Sequence, residues 1–273
     1  MTPGPRDRPG ATSRYDSGMF IAQVPRRAFL ADLGRGAGAL VVLSTLGCAP
    51  GGADPGASGS PSSSASAGPV TTPGGPPPKL EWRRVNVGIV SAYVLFRGGE
   101  AAIVDTGVAG SADDIEAALT AVDLGWDAVG HVVLTHRHGD HIGSVDDVLA
   151  RAAGAAGYAG TAELSSISAP RVLVAVGDGD DIFGLQVVDT PGHTAGHISV
   201  LDPVAGVLVA GDALNIVDGQ VAGANPRFST DMAAANASVA KLAAFQFETL
   251  LVGHGDPIES GASALVAALA AAG

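Results

Sequence analysis

A chain of 273 residues that is 47% apolar can bury a sizeable core, and with only 4% aromatic residues that core must be built from Val, Leu, Ile and close backbone packing. The formal net charge is −12, and from Lys79 onward nine basic residues face 23 acidic ones, a surface that repels phosphate backbones and sets the chain against nucleic acid as a partner. The single cysteine, Cys48, excludes an internal disulfide and any thiolate ligand or nucleophile further along the chain.

The first 47 residues read as an address rather than as fold. Arg26-Arg27 precede Ala28-Phe29-Leu30 and the uncharged run 37–47, which is too short to cross a bilayer of ~30 Å as a helix. The pattern resembles a twin-arginine export signal, a route for already folded cargo. Thr45-Leu46-Gly47-Cys48 resembles a lipoprotein cleavage box, which implies a lipid on the Cys48 thiol, with Met19 as an alternative start. Residues 1–48 are therefore expected to be an export signal that leaves the protein lipid-anchored at the outer face of the membrane. Residues 49–78 are almost wholly Gly, Pro, Ser, Ala and Thr, a composition that cannot bury enough apolar surface to order itself, and so read as a tether. One folded domain, 79–273, remains.

That domain opens with strand-like segments at 82–87, 91–96 and 101–105, followed by a turn at Asp105-Thr106-Gly107. Ser111 is placed to cap a helix over 112–122, with Asp113 and Asp114 favourable near its start. A short strand at 132–134 runs into a histidine cluster, and 142–153 reads as the next helix. Strands are expected at 172–176, 185–188, 198–201 and 207–210. Thr230 or Asp231 then caps a helix over 232–245, a strand covers 249–252, and 260–272 is a final helix. Two strand groups, each with its own helices, suggest an α/β fold arranged as a four-layer αββα sandwich.

The chemistry gathers where strands give way to loops. His136, His138, Asp140 and His141 fall within six consecutive positions and include three of the seven histidines. Imidazole and carboxylate are the ligands that zinc and related cations prefer, and crowded histidines have little packing value. In an extended loop His136 and His138 share a side, so both can reach one cation. Asp140 and His141 sit on the following bend and can turn toward a second.

This segment resembles the H-x-H-x-D-H signature of the metallo-β-lactamase superfamily, and further motifs follow in the family's order across residues 82–258. Asp105 in Val-Asp-Thr-Gly is similar to the early Asp turn that supports the site. His193 in Thr-Pro-Gly-His-Thr, Asp212 in Ala-Gly-Asp-Ala and His254 in Val-Gly-His-Gly match the remaining ligands. The resemblance implies one metal on His136, His138 and His193, a second on Asp140, His141 and His254, and Asp212 bridging them. It implies two divalent cations, zinc first, with iron or manganese as alternatives. A cation lowers the pKa of its bound water to about 7 and so supplies hydroxide at neutral pH, with Asp140 orienting it or relaying a proton. His197 is expected to hydrogen-bond behind the ligands, and His131 to be structural.

The implied activity is hydrolysis of a small-molecule ester, thioester, lactone or amide, with the membrane met only through the lipid anchor. Only 19 residues follow His254, so the C-terminal helical domain of glyoxalase II is not expected. No large insertion separates Asp212 from His254, against the nucleic-acid-processing branch, and Asn215 stands where acyl-homoserine lactonases often carry Tyr. Two other classes are a mononuclear iron persulfide-type dioxygenase and a non-catalytic metal-binding lipoprotein.

Overall fold

The computed structural model describes residues 78–273; the readings for the export segment, for Cys48 and for the tether up to residue 77 lie outside the described residues. Strands β1 (Glu81–Asn86), β2 (Ser91–Arg97), β3 (Glu100–Val104), β4 (Val129–Leu134), β5 (Ala156–Gly160) and β6 (Val174–Val176) form one sheet in that order. The first three pair antiparallel, and β3 to β6 run parallel. Parallel neighbours need a crossover. Helix α1 (Ala112–Thr120) supplies it between β3 and β4, and α2 (Gly139–Ile142) with α3 (Val145–Arg151) between β4 and β5. A second sheet has the order β13-β10-β9-β8-β7, from β7 (Asp181–Ile182), β8 (Leu185–Asp189), β9 (Ile198–Asp202), β10 (Val207–Gly211) and β13 (Thr249–Val252). Between β10 and β13 come the hairpin β11 (Leu214–Val217) and β12 (Gln220–Gly223), then α4 (Met232–Leu242); α5 (Ala262–Ala272) ends the chain.

Alternation along the strands sorts the apolar residues into three cores, because successive side chains leave a strand on opposite faces. In β2, Ala92 and Val94 join Ile115 and Leu119 of α1 and Val148 and Leu149 of α3 in one core. Tyr93 and Leu95 point the other way and meet Val187, Ile198, Val200 and Val209 of the second sheet. In β10, Val209 faces that middle core, while Leu208 and Ala210 pack on Val239 and Leu242 of α4 and Val266 of α5. Three cores between four layers make the αββα sandwich.

Several local expectations are corrected. The helix expected over 142–153 breaks at Gly143-Ser144. Gly143 passes so close to Ala109 that a Cβ would lie 2.5 Å from its backbone nitrogen. The Ser144 hydroxyl donates to the Val108 carbonyl (2.6 Å) and the Gly143 amide to that of Gly107 (2.8 Å), so the loop after β3 takes bonds that a continuous helix would need. Ser111 precedes α1 without capping it; its hydroxyl donates to Val108 instead. Asp231, not Thr230, caps α4 by accepting from the Ala234 amide (3.0 Å). Strands β5, β7, β11 and β12 are additions to the expected set.

The consequence for function is one shared edge. Strands β3 and β4 are parallel, β10 and β13 are parallel, and β8 runs with β10 because both oppose β9. Bonds across the sandwich tie the sheets together there: the Ile198 amide donates to Thr135 (3.0 Å), Ser91 to Gly253 (2.9 Å), and the Tyr93 hydroxyl to Val252 (2.8 Å). Five of the seven candidate ligands lie on loops leaving this edge, and Asp140 and His141 lie on the short helix α2 just beyond it.

Candidate metal centre

His136 follows β4, His138 lies one residue beyond Arg137, and His193 stands on the loop after β8. Their ring nitrogens converge: His136 Nε2 and His193 Nε2 lie 3.0 and 2.8 Å from His138 Nδ1. The chain sets the tautomers. The Thr135 hydroxyl donates to the Asp105 carboxylate (2.8 Å), so toward His136 Nδ1 (3.0 Å) it can only accept. The Ser229 hydroxyl donates to the Asn225 carbonyl (2.7 Å) and therefore accepts from His193 Nδ1 (3.2 Å). In both rings the proton sits on Nδ1 and the Nε2 lone pair faces the cluster. Burial holds His136 well below its usual pKa, lowers His138 and brings His193 down to about 4, so all three are neutral at pH 7.

The second group is arranged differently. His141 Nδ1 donates to Asp105 Oδ2 (2.8 Å) and His254 Nδ1 to the Ile89 carbonyl (2.6 Å), again freeing Nε2. Asp140 Oδ2 lies 3.4 Å from His254 Nε2 and 4.0 Å from His141 Nε2. Asp212 stands between the groups. Its Oδ2 is 3.3 Å from both His193 Nε2 and His254 Nε2, and its Oδ1 is 3.2 Å from His141 Nε2. Burial pulls the His141 pKa down, but the Asp105 and Asp212 carboxylates outweigh it and raise it to about 10. Hydrogen bonding to Asp140 and Asp212 raises His254 to about 10. Positive charge is what these carboxylates demand, and without a cation protons must supply it.

These residues fit a pair of cations on their own geometry. His141 Nε2 and Asp212 Oδ1 are buried 3.2 Å apart, yet neither has a hydrogen-bond partner. Buried polar atoms are seldom left so, and once His141 gives up its Nε2 proton two lone pairs face one point, an arrangement that suits a cation. Gly253 completes the cradle, since a Cβ there would approach Asp212 Oδ1 and come within 2.6 Å of His141 Cε1. The donor atoms of His136, His138 and His193, of His136, His141 and Asp212, and of Asp140, His141 and His254 form three groups, each within 4.8 Å.

Behind the ligands lies a buried supporting layer. Asp105 has a left-handed backbone (φ 60°) and accepts from the Thr135 amide (2.8 Å), the Thr135 hydroxyl and His141. His197 Nε2 accepts from the Asp212 amide (3.0 Å), and its Nδ1 donates to Thr190, whose hydroxyl continues to Ser199 and then to the Ala210 carbonyl. Burial lowers His197 to about 3, which keeps Nε2 an acceptor. His131 is outside the centre, beside the Tyr158 hydroxyl (3.2 Å).

Glu163 is a supporting residue that sequence reasoning missed. It is wholly buried and accepts from the Arg137 amide (3.1 Å), the Arg137 guanidinium (3.1 Å) and the Gly196 amide (2.8 Å). It thereby ties the loop carrying His136 and His138 to the one carrying His193 and His197. Glu163→Ala should cost about 2–3 kcal/mol of stability and lower metal affinity roughly 10–100-fold. Glu163→Gln, which keeps one acceptor, should lose much less. Denaturant unfolding and metal titration of the two variants check this, and equal behaviour would contradict the assigned role.

The sequence profile of the Metallo-beta-lactamase superfamily matches residues 85–254, well over half of the chain. A hydroxyacylglutathione hydrolase of Acidiphilium cryptum (strain JF-5) is 34% identical over 60% of this chain and 63% of its own length. The uncharacterized protein YobT of Bacillus subtilis (strain 168) is 30% identical over 63% of this chain and 85% of its own. Among solved structures, a metallo-beta-lactamase family protein of Thermus thermophilus superposes with a TM-score of 0.58 at 23% identity, covering 71% of this chain and 78% of that one. The chain spans about three-fifths of the length of the Acidiphilium cryptum enzyme it matches. With profile, layers and relatives in agreement, the chain belongs to the metallo-beta-lactamase superfamily.

Proposed function

We propose that the chain is a dinuclear metal-dependent hydrolase of small-molecule acyl compounds, with thioesters favoured by the hydroxyacylglutathione hydrolases among its relatives. The observation that carries this is the pair of ligand groups with Asp212 between them and the orphaned, buried His141 Nε2 and Asp212 Oδ1 at their centre, opening on one cleft. His138 and His193 from the first group and Asp140 and His254 from the second all line that cleft, whose volume is about 1030 Å³. Zinc is the first candidate for the cations, iron or manganese the next. When bound, such a pair lowers the pKa of water to about 7 and polarises the substrate carbonyl. Asp140, half-buried in the cleft, is kept a carboxylate by the hydrogen bond from His254, which lowers its pKa, and so is placed to take a proton from water and relay it to the departing group. The supporting contacts aim the Nε2 lone pairs of His136, His193, His141 and His254, while His138 turns its Nδ1 to the cluster. A mononuclear dioxygenase would leave the Asp140, His141 and His254 group without a role.

The test is turnover of a panel of esters, thioesters, lactones and amides by the metal-loaded full chain. Activity that is lost with a chelator and regained with zinc would support the reading. Two bound cations with no turnover anywhere on the panel would instead favour a metal-binding protein without catalysis.

For location we propose export with a lipid on Cys48 and a tether to the domain, a reading that rests on residues 1–78 of the sequence. Cys48→Ser should move the protein from the membrane fraction to the soluble one. Undiminished membrane retention would contradict lipidation.

A further inference from the structure

The wall of the cleft facing the ligands differs in kind from its floor. It is made by the β11–β12 hairpin and the segment after it, with Ile216, Val217, Ala222, Ala224 and Phe228, and is joined from the other side by Ile89. Among the described residues seven large apolar side chains are exposed, and three of them stand at this cleft: Ile89 (76%), Val217 (56%) and Phe228 (57%). Exposed apolar side chains scattered singly need no explanation, but three gathered around a metal-ligand cluster do. No lysine or arginine of the described residues lines the cleft. Of the arginines beside lining residues, Arg84 is paired with Asp256 and the Gly255 carbonyl and Arg137 with Glu163. Arg227, exposed between Pro226 and Phe228, lies over the Phe228 ring at 5.5 Å and is the one cation at the rim among the described residues. From Lys79 onward the chain carries 23 acidic residues against nine basic ones, which adds a long-range repulsion of anions.

Glutathione is a tripeptide with two carboxylates and one ammonium, net negative at neutral pH. The wall's polar side chains are Asn215, whose side-chain nitrogen donates to the Asp212 and Gly223 carbonyls, and Asn225. Neither carries a charge to meet these carboxylates, whereas the apolar residues desolvate an alkyl or aryl group at no polar cost. We propose that the substrate is an uncharged thioester or ester with an apolar acyl chain lying along the β11–β12 wall, rather than an acyl group carried on glutathione. The assignment rests on the hydrolase reading above and adds to it the chemistry of what is bound. Phe228, Val217 and Ile89 act as specificity residues that touch the acyl chain, while the ligand groups hold the reacting carbonyl.

The experiment uses the metal-loaded full chain and pairs of thioesters with one acyl group, carried either on N-acetylcysteamine, which is uncharged, or on glutathione. kcat/KM should favour the uncharged carrier at least tenfold. From acetyl to hexanoyl it should rise about fourfold per methylene, the rate equivalent of ~0.8 kcal/mol for each one buried. Phe228→Ala should flatten that rise. Val217→Lys, which places a cation at the rim, should shift the preference toward the glutathione carrier by threefold or more, a gain that misfolding cannot mimic. Equal or better turnover of the glutathione thioesters, with no dependence on acyl length, would overturn the assignment and leave the hydrolase reading standing. If no thioester turned over, the ester, lactone and amide panel would still judge the hydrolase reading, and calorimetric binding of the same thioester pairs would decide the cleft. Tighter binding of the uncharged carrier supports the assignment, and tighter binding of glutathione refutes it.

Discussion

Replacing His138 by alanine should reduce turnover by at least about a thousandfold, because one of the three imidazoles of the first ligand group is lost and the cation loses its geometry. The fold should survive. His138 is half-buried on a loop, and its Nδ1 approaches only His136 and His193, both of them donors to the same cluster. Without metal the variant should melt within a few degrees of the parent, since a loop residue that packs against little changes stability by less than ~1 kcal/mol. With zinc the parent should gain stability by mass action and the variant much less. Melting curves with and without zinc, beside turnover, separate a lost ligand from a damaged fold. Undiminished activity would remove His138 from the centre.

The second large effect is expected at Asp105, which touches no cation. Asp105→Asn keeps the left-handed backbone at φ 60°, a conformation asparagine tolerates better than most residues, and still offers an oxygen to the Thr135 amide. What changes lies opposite His141. The carboxylate oxygen that accepts from Nδ1 at 2.8 Å becomes an amide nitrogen, and two donors face one another. His141 must then move its proton to Nε2 or turn away, and either response removes its lone pair from the second group. The second cation should bind roughly 10–100-fold more weakly, while the first, held by His136, His138 and His193, should lose less. A calorimetric zinc titration resolves the two steps; two unchanged affinities would contradict the role given to Asp105.

The ligand loops were legible because four of the seven candidate ligands stand within six residues and the other three sit in short strand-end motifs. Their support was not. Glu163 is 26 residues beyond Arg137 and 33 before Gly196, so nothing local announces it. The Ile89 carbonyl that orients His254 is backbone and carries no residue identity. Among the elements, strands rich in Val, Leu and Ile were visible from their alternation. β5 reads Ala-Gly-Tyr-Ala-Gly, where small residues suit close packing and hide the strand pattern. The β11–β12 hairpin did carry a signal. Asp218 and Gly219 both take positive φ (51° and 76°), and an Asp-Gly pair between alternating residues marks a tight hairpin. That hairpin builds the apolar wall of the cleft, so the wall to which we assign substrate selection was marked in the residues by this one pair.

The helix expected over 142–153 shows the opposite influence. Its propensity is sound, yet Thr106, Gly107 and Val108 capture the backbone around His141 to Ser144 and turn the chain there. The amide of Thr106 donates to the His141 carbonyl at 2.6 Å, so the bend that aims His141 is set by the loop after β3. Tertiary hydrogen bonding overrides local preference at the point where the two groups of candidate ligands diverge.

That there are two cations is the claim on which the rest depends, and metal stoichiometry measures it most directly. The full chain, dialysed to equilibrium against zinc at neutral pH and analysed for metal and protein, should retain two divalent ions. One ion per chain, or a single iron accompanied by oxygen consumption, would contradict a dinuclear centre built on Asp212.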